Sequence, residues 1–111
     1  IAAGRRLRLA KRTAAHVPPG AEVVTGDAAD SVFCATAASG AATVYHCMNP
    51  PYDARVWAEK LPRYMENLIA AAAKASARLV VLDNVYMLGR PNGRALDEET
   101  PMRPCSRKGE I

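Results

Sequence analysis

No window of this 111-residue chain holds the ~18 consecutive apolar side chains that a membrane-spanning helix needs. Its greasiest stretch, Leu68 to Ala73, is mostly alanine. Cysteine is scarce and odd in number. Cys34, Cys47 and Cys105 have no paired spacing, which signals neither a disulfide framework nor a zinc site and leaves reduced cytoplasmic thiols as the plain reading. Aromatic residues make up only 5 % of the chain, and none interleaves the basic run Arg5, Arg6, Arg8, Lys11 and Arg12. That weighs against a base-stacking platform for single-stranded nucleic acid. There is no initiator methionine. The chain opens on "IAAGRRLRLAKR" and stops at "RKGEI", so the beginning of a longer protein is expected to lie upstream.

Half of the residues are apolar, which suits one globular domain over 1–111 with an adequate, not large, core. The formal charge of +4 owes much to the basic run, a feature that attracts either nucleic acid or a phosphorylated small molecule.

Element signals alternate along the chain. "IAAG" reads as a helix tail closing at Gly4, and Leu7 to Lys11 as a strand. "VPPG" is a turn and "AEVVTGD" a short strand. Residues 29 to 38 read as a helix with Asp30 as N-cap and with Val32, Phe33 and Ala37 on one face. "SG" stops it; "ATVYHC" is the next strand and "MNPPYD" a loop. Trp57, Leu61, Tyr64, Met65, Leu68 and Ala72 recur at helical spacing within 54–76. Pro62 interrupts them, so a short lead-in helix followed by a main helix is expected. "RLVVL" is a further strand, and after Gly89 no period is sustained. This order argues for a parallel sheet covered by helices on both faces, with "TVY" and "LVVL" too continuously apolar for edge strands.

In an open parallel sheet, ligands bind beyond the carboxyl ends of the strands. Here those ends are Lys11-Arg12, Gly26-Asp27, His46-Cys47-Met48 and Asp83-Asn84, all polar, small or soft. Asp83 needs partners or solvent at a central strand end, and Arg90 or a helix N-terminus is the expected source. His46 and Cys47 lack metal-ligand spacing, so no metal is expected.

The segments "GRRLRLAKR", "GAEVVTGDAAD", "ATVYHCMNPPY", "NLIAAAAKASARLVVLDNVYMLG" and "LDEETPMRP" run in an order that resembles the extended short-chain dehydrogenase/reductases, the NAD(P)-dependent epimerase/dehydratase group. The resemblance begins at that family's second strand, and its Gly-rich GxxGxxG turn is absent from this sequence. It implies an α/β fold: a Rossmann-like three-layer sandwich with a mostly parallel sheet, partial from the second strand onward. It also implies a nicotinamide cofactor, with NADP preferred over NAD because Lys11 and Arg12 stand where the second strand meets the ribose. A solvated basic strand end is the competing account of that pair. Asp27, with Ala28 beside it, falls where the family meets the adenine edge; the competing account is a turn or helix-cap aspartate. His46, Cys47 and Met48 fall where the family's backbone runs beside the dinucleotide, Cys47 as a packing residue.

The catalytic positions of that family fall on Asn84 for the serine, Pro104 for the tyrosine and Lys108 for the lysine. Proline carries no proton, which leaves Tyr86 as a candidate substitute acid, with Asn84 binding the substrate carbonyl and Lys108 gripping the ribose. A packing tyrosine whose hydroxyl finds water is the preferred account of Tyr86. The acid in "DEETP" is expected to order a substrate-facing loop. The Trp57–Met65 face serves either a core or a homodimer. The function implied is a cytoplasmic epimerase/dehydratase- or reductase-like protein acting on a small carbonyl or nucleotide sugar. The competing reading is a non-catalytic dinucleotide-binding or sensor module. A nucleic-acid-binding piece is weaker, and neither nucleic acid nor membrane is the expected partner.

Overall fold

The computed structural model describes residues 4–111. Its elements are β1 (Arg8–Lys11), β2 (Glu22–Thr25), α1 (Ser31–Ala38), β3 (Thr43–His46), α2 (Ala54–Lys74) and β4 (Arg78–Val81), followed by a 3-10 turn over Tyr86–Leu88. The helix tail expected over Ile1–Ala3 lies outside the described residues; Gly4 has the positive φ, +67°, expected of it. No described helix is long and apolar enough to cross a membrane.

Both strand pairs are parallel. Arg8 lies opposite Glu22 and Lys11 opposite Thr25, while Thr43 lies opposite Arg78 and His46 opposite Val81. The pairs form separate two-stranded sheets. The Glu22 and Gly26 amides donate to the Leu7 and Lys11 carbonyls, each at 2.9 Å. Peptide groups alternate sides along a strand, so those of Arg8 and Ala10 face the other edge of β1. By the same alternation, bonds from Arg78 to Ala42 (3.0 Å) and from Leu82 to His46 (2.9 Å) turn Thr43 and Tyr45 away from β4. The expectation that "TVY" and "LVVL" are not edge strands is therefore corrected for the described residues. Tyr45 is 70 % and Leu82 72 % exposed, because no strand or helix described here covers them.

Asp30 caps α1 as expected: its Oδ1 accepts from the amides of Val32 (2.8 Å) and Phe33 (3.2 Å). The buried face differs. Cys34 and Ala38 point inward and Phe33 is half-buried, whereas Val32 is solvated, because two positions in an eight-residue helix cannot fix its rotation. At the other end the Arg8 guanidinium donates to the carbonyls of Ala37 (3.0 Å) and Ser39 (2.7 Å) while pairing with Glu22 at 2.9 Å. Those carbonyls lack intrahelical partners and carry the negative end of the helix dipole. One member of the basic run is thus committed to fold.

The break expected at Pro62 is absent. α2 is one 21-residue helix with Pro62 inside it, capped by Asp53. Proline removes one bond, to the Ala58 carbonyl, and both residues lie on the exposed side of the helix, open to solvent. The opposite stripe, Trp57, Tyr64, Leu68, Ala71 and Ala72, is buried. Of these, Tyr64, Leu68 and Ala71 pack with Ala28, Cys34 and Ala38, and against Phe33, Val44 and Leu79, so α1 and α2 share one core on one side of the strands. Tyr64 therefore serves that core, whereas Trp57 packs against Tyr52 and Tyr86. Small side chains dominate the shared core, which lets the two helices approach closely.

Candidate functional site

At the end of β1 the two basic residues diverge. The Lys11 ammonium turns back onto the carbonyls of Ala15 and His16, tying down its own loop. Arg12 is exposed, and its guanidinium has no hydrogen-bond or ion-pair partner among the described residues. At the end of β2, Asp27 Oδ1 accepts from the Ala29 amide at 2.8 Å, an Asx turn leading into α1. Ala28 is buried; its carbonyl accepts the Asn67 side-chain amide at 2.8 Å and lies 3.4 Å from the Cys34 thiol. Burial, with lesser contributions from Asp30 and Asp27, pushes that thiol's pKa up.

At the end of β3, His46 is 5 % exposed and its Nδ1 accepts from the Met48 amide at 3.2 Å. Burial holds the imidazole below its ordinary pKa, against the opposing pull of Asp83. Cys47 and Met48 are exposed. Among the described residues no three of His, Cys, Asp and Glu converge on a metal-sized space.

Beyond β4, Asp83 is not paired with Arg90. Its Oδ1 accepts instead from the Asn84 amide (2.7 Å) and the Asn84 side chain (3.2 Å), because the chain folds back on itself in a tight polar turn. Asn84 Oδ1 in turn accepts from the Tyr86 amide at 2.8 Å. One Asn84 N–H remains free of protein partners, so the side chain mainly shapes the turn that presents Tyr86.

Tyr86 stands in an aromatic cluster. Its ring stacks on Trp57 (centroids 6.3 Å apart, planes at 23°), and its hydroxyl lies 3.1 Å from that of Tyr52. Tyr52 meets the same indole edge-on at 5.6 Å. Trp57 is 2 % exposed and donates its indole N–H to the Pro51 carbonyl at 3.0 Å, which holds the β3–α2 loop to the helix. The Lys108 ammonium sits over the Tyr52 ring, 2.6 Å from its centroid, and 5.0 Å from that of Trp57. The hydrogen bond to Tyr52 raises the Tyr86 pKa above the ordinary tyrosine value, and the charge of Lys108 works against it.

Two glycines bring the C-terminal segment to this cluster. Gly89 has φ +71°, and a Cβ there would strike the Arg103 carbonyl; a Cβ on Gly109 would strike the Tyr86 carbonyl. The Arg103 amide donates to the Met87 carbonyl at 2.9 Å between them. Asp97 orders the loop before this segment, accepting from the Glu99 amide at 3.2 Å and the Thr100 hydroxyl at 2.8 Å. A depression of about 670 Å³ adjoins that loop, bordered by Arg90, Arg94 and Arg103, away from the aromatic cluster.

Lys108, which the sequence resemblance singles out, and Tyr86, the candidate substitute for the tyrosine missing at Pro104, are thus gathered about Trp57, with Asn84 beneath Tyr86. Arg12, Cys47 and Met48 are open at strand ends, whereas Lys11, Ala28 and His46 are engaged by the fold. Tyr52 is what sequence reasoning misses. Its available signal is its place in "NPPYD", directly before Asp53, the N-cap of α2.

No protein-family model and no curated protein matches the chain. Solved structures do match. A mutated uronate dehydrogenase superposes with a TM-score of 0.78 at 22 % identity, covering 95 % of this chain and 40 % of that one. The enzyme WbmG of Bordetella bronchiseptica, solved in complex with NAD and UDP, gives 0.73 at 22 % identity over 96 % of this chain and 38 % of that one. The fold is Rossmann-like. The structure of gox2253 matches at 28 % identity and a TM-score of 0.72, over 90 % of this chain and 33 % of its own. This chain therefore spans no more than 40 % of the length of the structures it resembles.

Proposed function

We propose that residues 1–111 form one partial dinucleotide-binding domain of a nicotinamide-dependent oxidoreductase or epimerase/dehydratase acting on a sugar or small carbonyl, with NADP preferred. The observation that carries this reading is the gathering of Tyr86 and Lys108 about the Trp57 indole, with Tyr52 between the ammonium and the Tyr86 hydroxyl, in a chain whose usual tyrosine position is Pro104. The WbmG complex with NAD and UDP supports a nucleotide-sugar substrate, and the uronate dehydrogenase a sugar acid. The unpaired edges of β1 and β3 support completion by a further strand, as does the greater length of the matching structures.

The residues fit a nicotinamide dinucleotide in part. Arg12 is free to fork onto a ribose 2′-phosphate, and Cys47 and Met48 offer a soft surface to its flat rings. Asp27 keeps one carboxylate oxygen free of the Asx turn for an adenine or ribose contact. Lys11, Ala28 and His46 shape the strand ends that carry these groups. Bound there, the cofactor supplies hydride exchange; this chain's residues position it and handle the proton. Tyr86 is the acid–base group, and Lys108 the charge that stabilises its ionised form and holds the ribose. Asn84 retains a single N–H for the substrate oxygen.

The engagement of Asn84 in its turn favours a second reading, a dinucleotide-binding module without turnover. Two measurements separate them. NADPH titrated by its own fluorescence should bind the wild type more tightly than NADH does, and Arg12→Glu should weaken NADPH by about 10-fold or more, roughly 1.4 kcal/mol. Equal affinities for wild type and variant would refute the NADP assignment. Hydride transfer that is lost in Tyr86→Phe identifies the enzyme; NADPH binding with no transfer identifies the module.

A further inference from the structure

Tyr52 and Tyr86 come from segments 34 residues apart, yet their hydroxyls lie 3.1 Å from each other. A single buried indole sets both rings, one edge-on and one stacked. That indole also holds the backbone carrying Tyr52, through the Pro51 carbonyl, which accepts from the Asp53 amide as well, at 2.7 Å. Lys108 lies over the Tyr52 ring, not directly on Tyr86. The two phenols differ in solvation: Tyr52 is 71 % exposed and Tyr86 38 %. Both rings thus reach solvent, Tyr52 the more freely, with a hydrogen bond between their hydroxyls and a positive charge beside the outer ring.

We propose that Tyr52 is a relay residue of this site, passing protons between bulk water and Tyr86, so that the acid–base group is a tyrosine pair. The proposal rests on the reading of Tyr86 as the acid–base group. In the oxidative direction the substrate O–H bond breaks and its proton goes to the Tyr86 oxygen. Tyr86 gives its own proton to Tyr52, and Tyr52 gives one to water. With an oxidised nicotinamide bound, it would take the hydride of the carbinol carbon as the carbonyl forms. The sum is one hydride to the cofactor and one proton to solvent, with both phenols restored; reduction runs the same path backwards. Lys108 lowers the cost of the negative charge that passes across the pair. The pKa of Tyr86, raised chiefly by its bond to Tyr52, is the signature of this coupling.

The test uses Tyr52→Phe and, as a control for loss of an exposed tyrosine, Tyr45→Phe. Titration of each tyrosine by ring-carbon NMR should show Tyr86 ionising at lower pH in Tyr52→Phe and unchanged in Tyr45→Phe. Turnover is read with NAD or NADP and either a hexuronate or a UDP-hexose as probe. Tyr52→Phe should lower kcat by roughly 10- to 100-fold at similar KM and alter the pH–rate profile, no more than the low end of what a general acid–base group contributes, because Tyr86 itself remains. A wild-type kcat and pH profile in Tyr52→Phe, with Tyr86→Phe inactive, overturns the relay and leaves Tyr86 as sole acid. So does a Tyr86 titration that ignores Tyr52→Phe. No turnover by wild type with either probe, or full turnover by Tyr86→Phe, refutes the catalytic reading itself and the relay with it.

Discussion

The carbonyl oxygen of Ala28 accepts the side-chain amide of Asn67 at 2.8 Å, joining the strand-end loop after β2 to the middle of α2. Beside it, Arg63 donates to the Ala29 carbonyl at 3.0 Å. The loop that carries Asp27 is thus held by a helix far along the chain. Because Ala28 is buried, Asn67→Ala leaves its carbonyl with only the weak Cys34 thiol. The expected loss is about 1–3 kcal/mol. It is read as a lower urea midpoint at unchanged slope by the fluorescence of Trp57, the chain's one tryptophan. A midpoint equal to wild type would show that the carbonyl is not the loop's anchor.

Gly109 should resist even the smallest side chain. A Cβ there meets the Tyr86 carbonyl and, at 3.0 Å, Pro104, so Gly109→Ala must push the C-terminal segment off the cluster. Hydrogen exchange should then speed up at the Arg103 amide, which bonds to Met87. Stability should fall by about 1–3 kcal/mol. Gly93→Ala is the control: it has open space and only its φ of +80° to strain, so exchange at Arg103 should not change. Equal exchange in both variants would mean that the segment does not press on Tyr86.

His46 makes stability pH-dependent. Burial depresses its folded pKa below the ordinary histidine value of about 6.5, so as pH falls the unfolded chain takes the proton first. Stability therefore declines from about pH 6.5 down to the lowered folded value and contributes no further slope below it. Protonation also removes the acceptor for the Met48 amide. Urea midpoints compared at about pH 7.5 and about pH 5.5 should fall for wild type and fall less for His46→Gln. The same fall in both would assign the slope to other groups.

Much of the framework is legible in residues close together in sequence. β1 and β2 appear where short apolar runs end in polar pairs, and the Asp30 cap is legible because its carboxylate bonds amides two and three residues on. The Trp57–Ala72 stripe announces its burial by helical spacing. Pro62 misleads, because local propensity cannot reveal that its side of α2 faces solvent and tolerates one lost bond. Val32 misleads because α1 is too short for spacing to set its rotation. At the site, a family resemblance picks out Lys108, and Tyr86 stands out only as a neighbour of Asn84; their approach depends on Gly109 passing the Tyr86 carbonyl, a contact between distant segments. The Tyr52–Tyr86 pair is invisible to any periodic reading for the same reason. Asn84 and Lys11 have the expected chemistry, yet nearby backbone claims them first.

On the proposed reading, the carboxyl ends of the four strands together receive a nicotinamide dinucleotide. NADPH titrated into the isotope-labelled chain, followed by backbone amide NMR, tests it most directly. The account predicts shifts grouped at Arg12, Asp27, Cys47–Met48 and Asn84–Tyr86, saturating with one common affinity. Shifts confined to the opposite strand ends, around Leu7, Ala21, Ala42 and Ala77, or none at all, would contradict it.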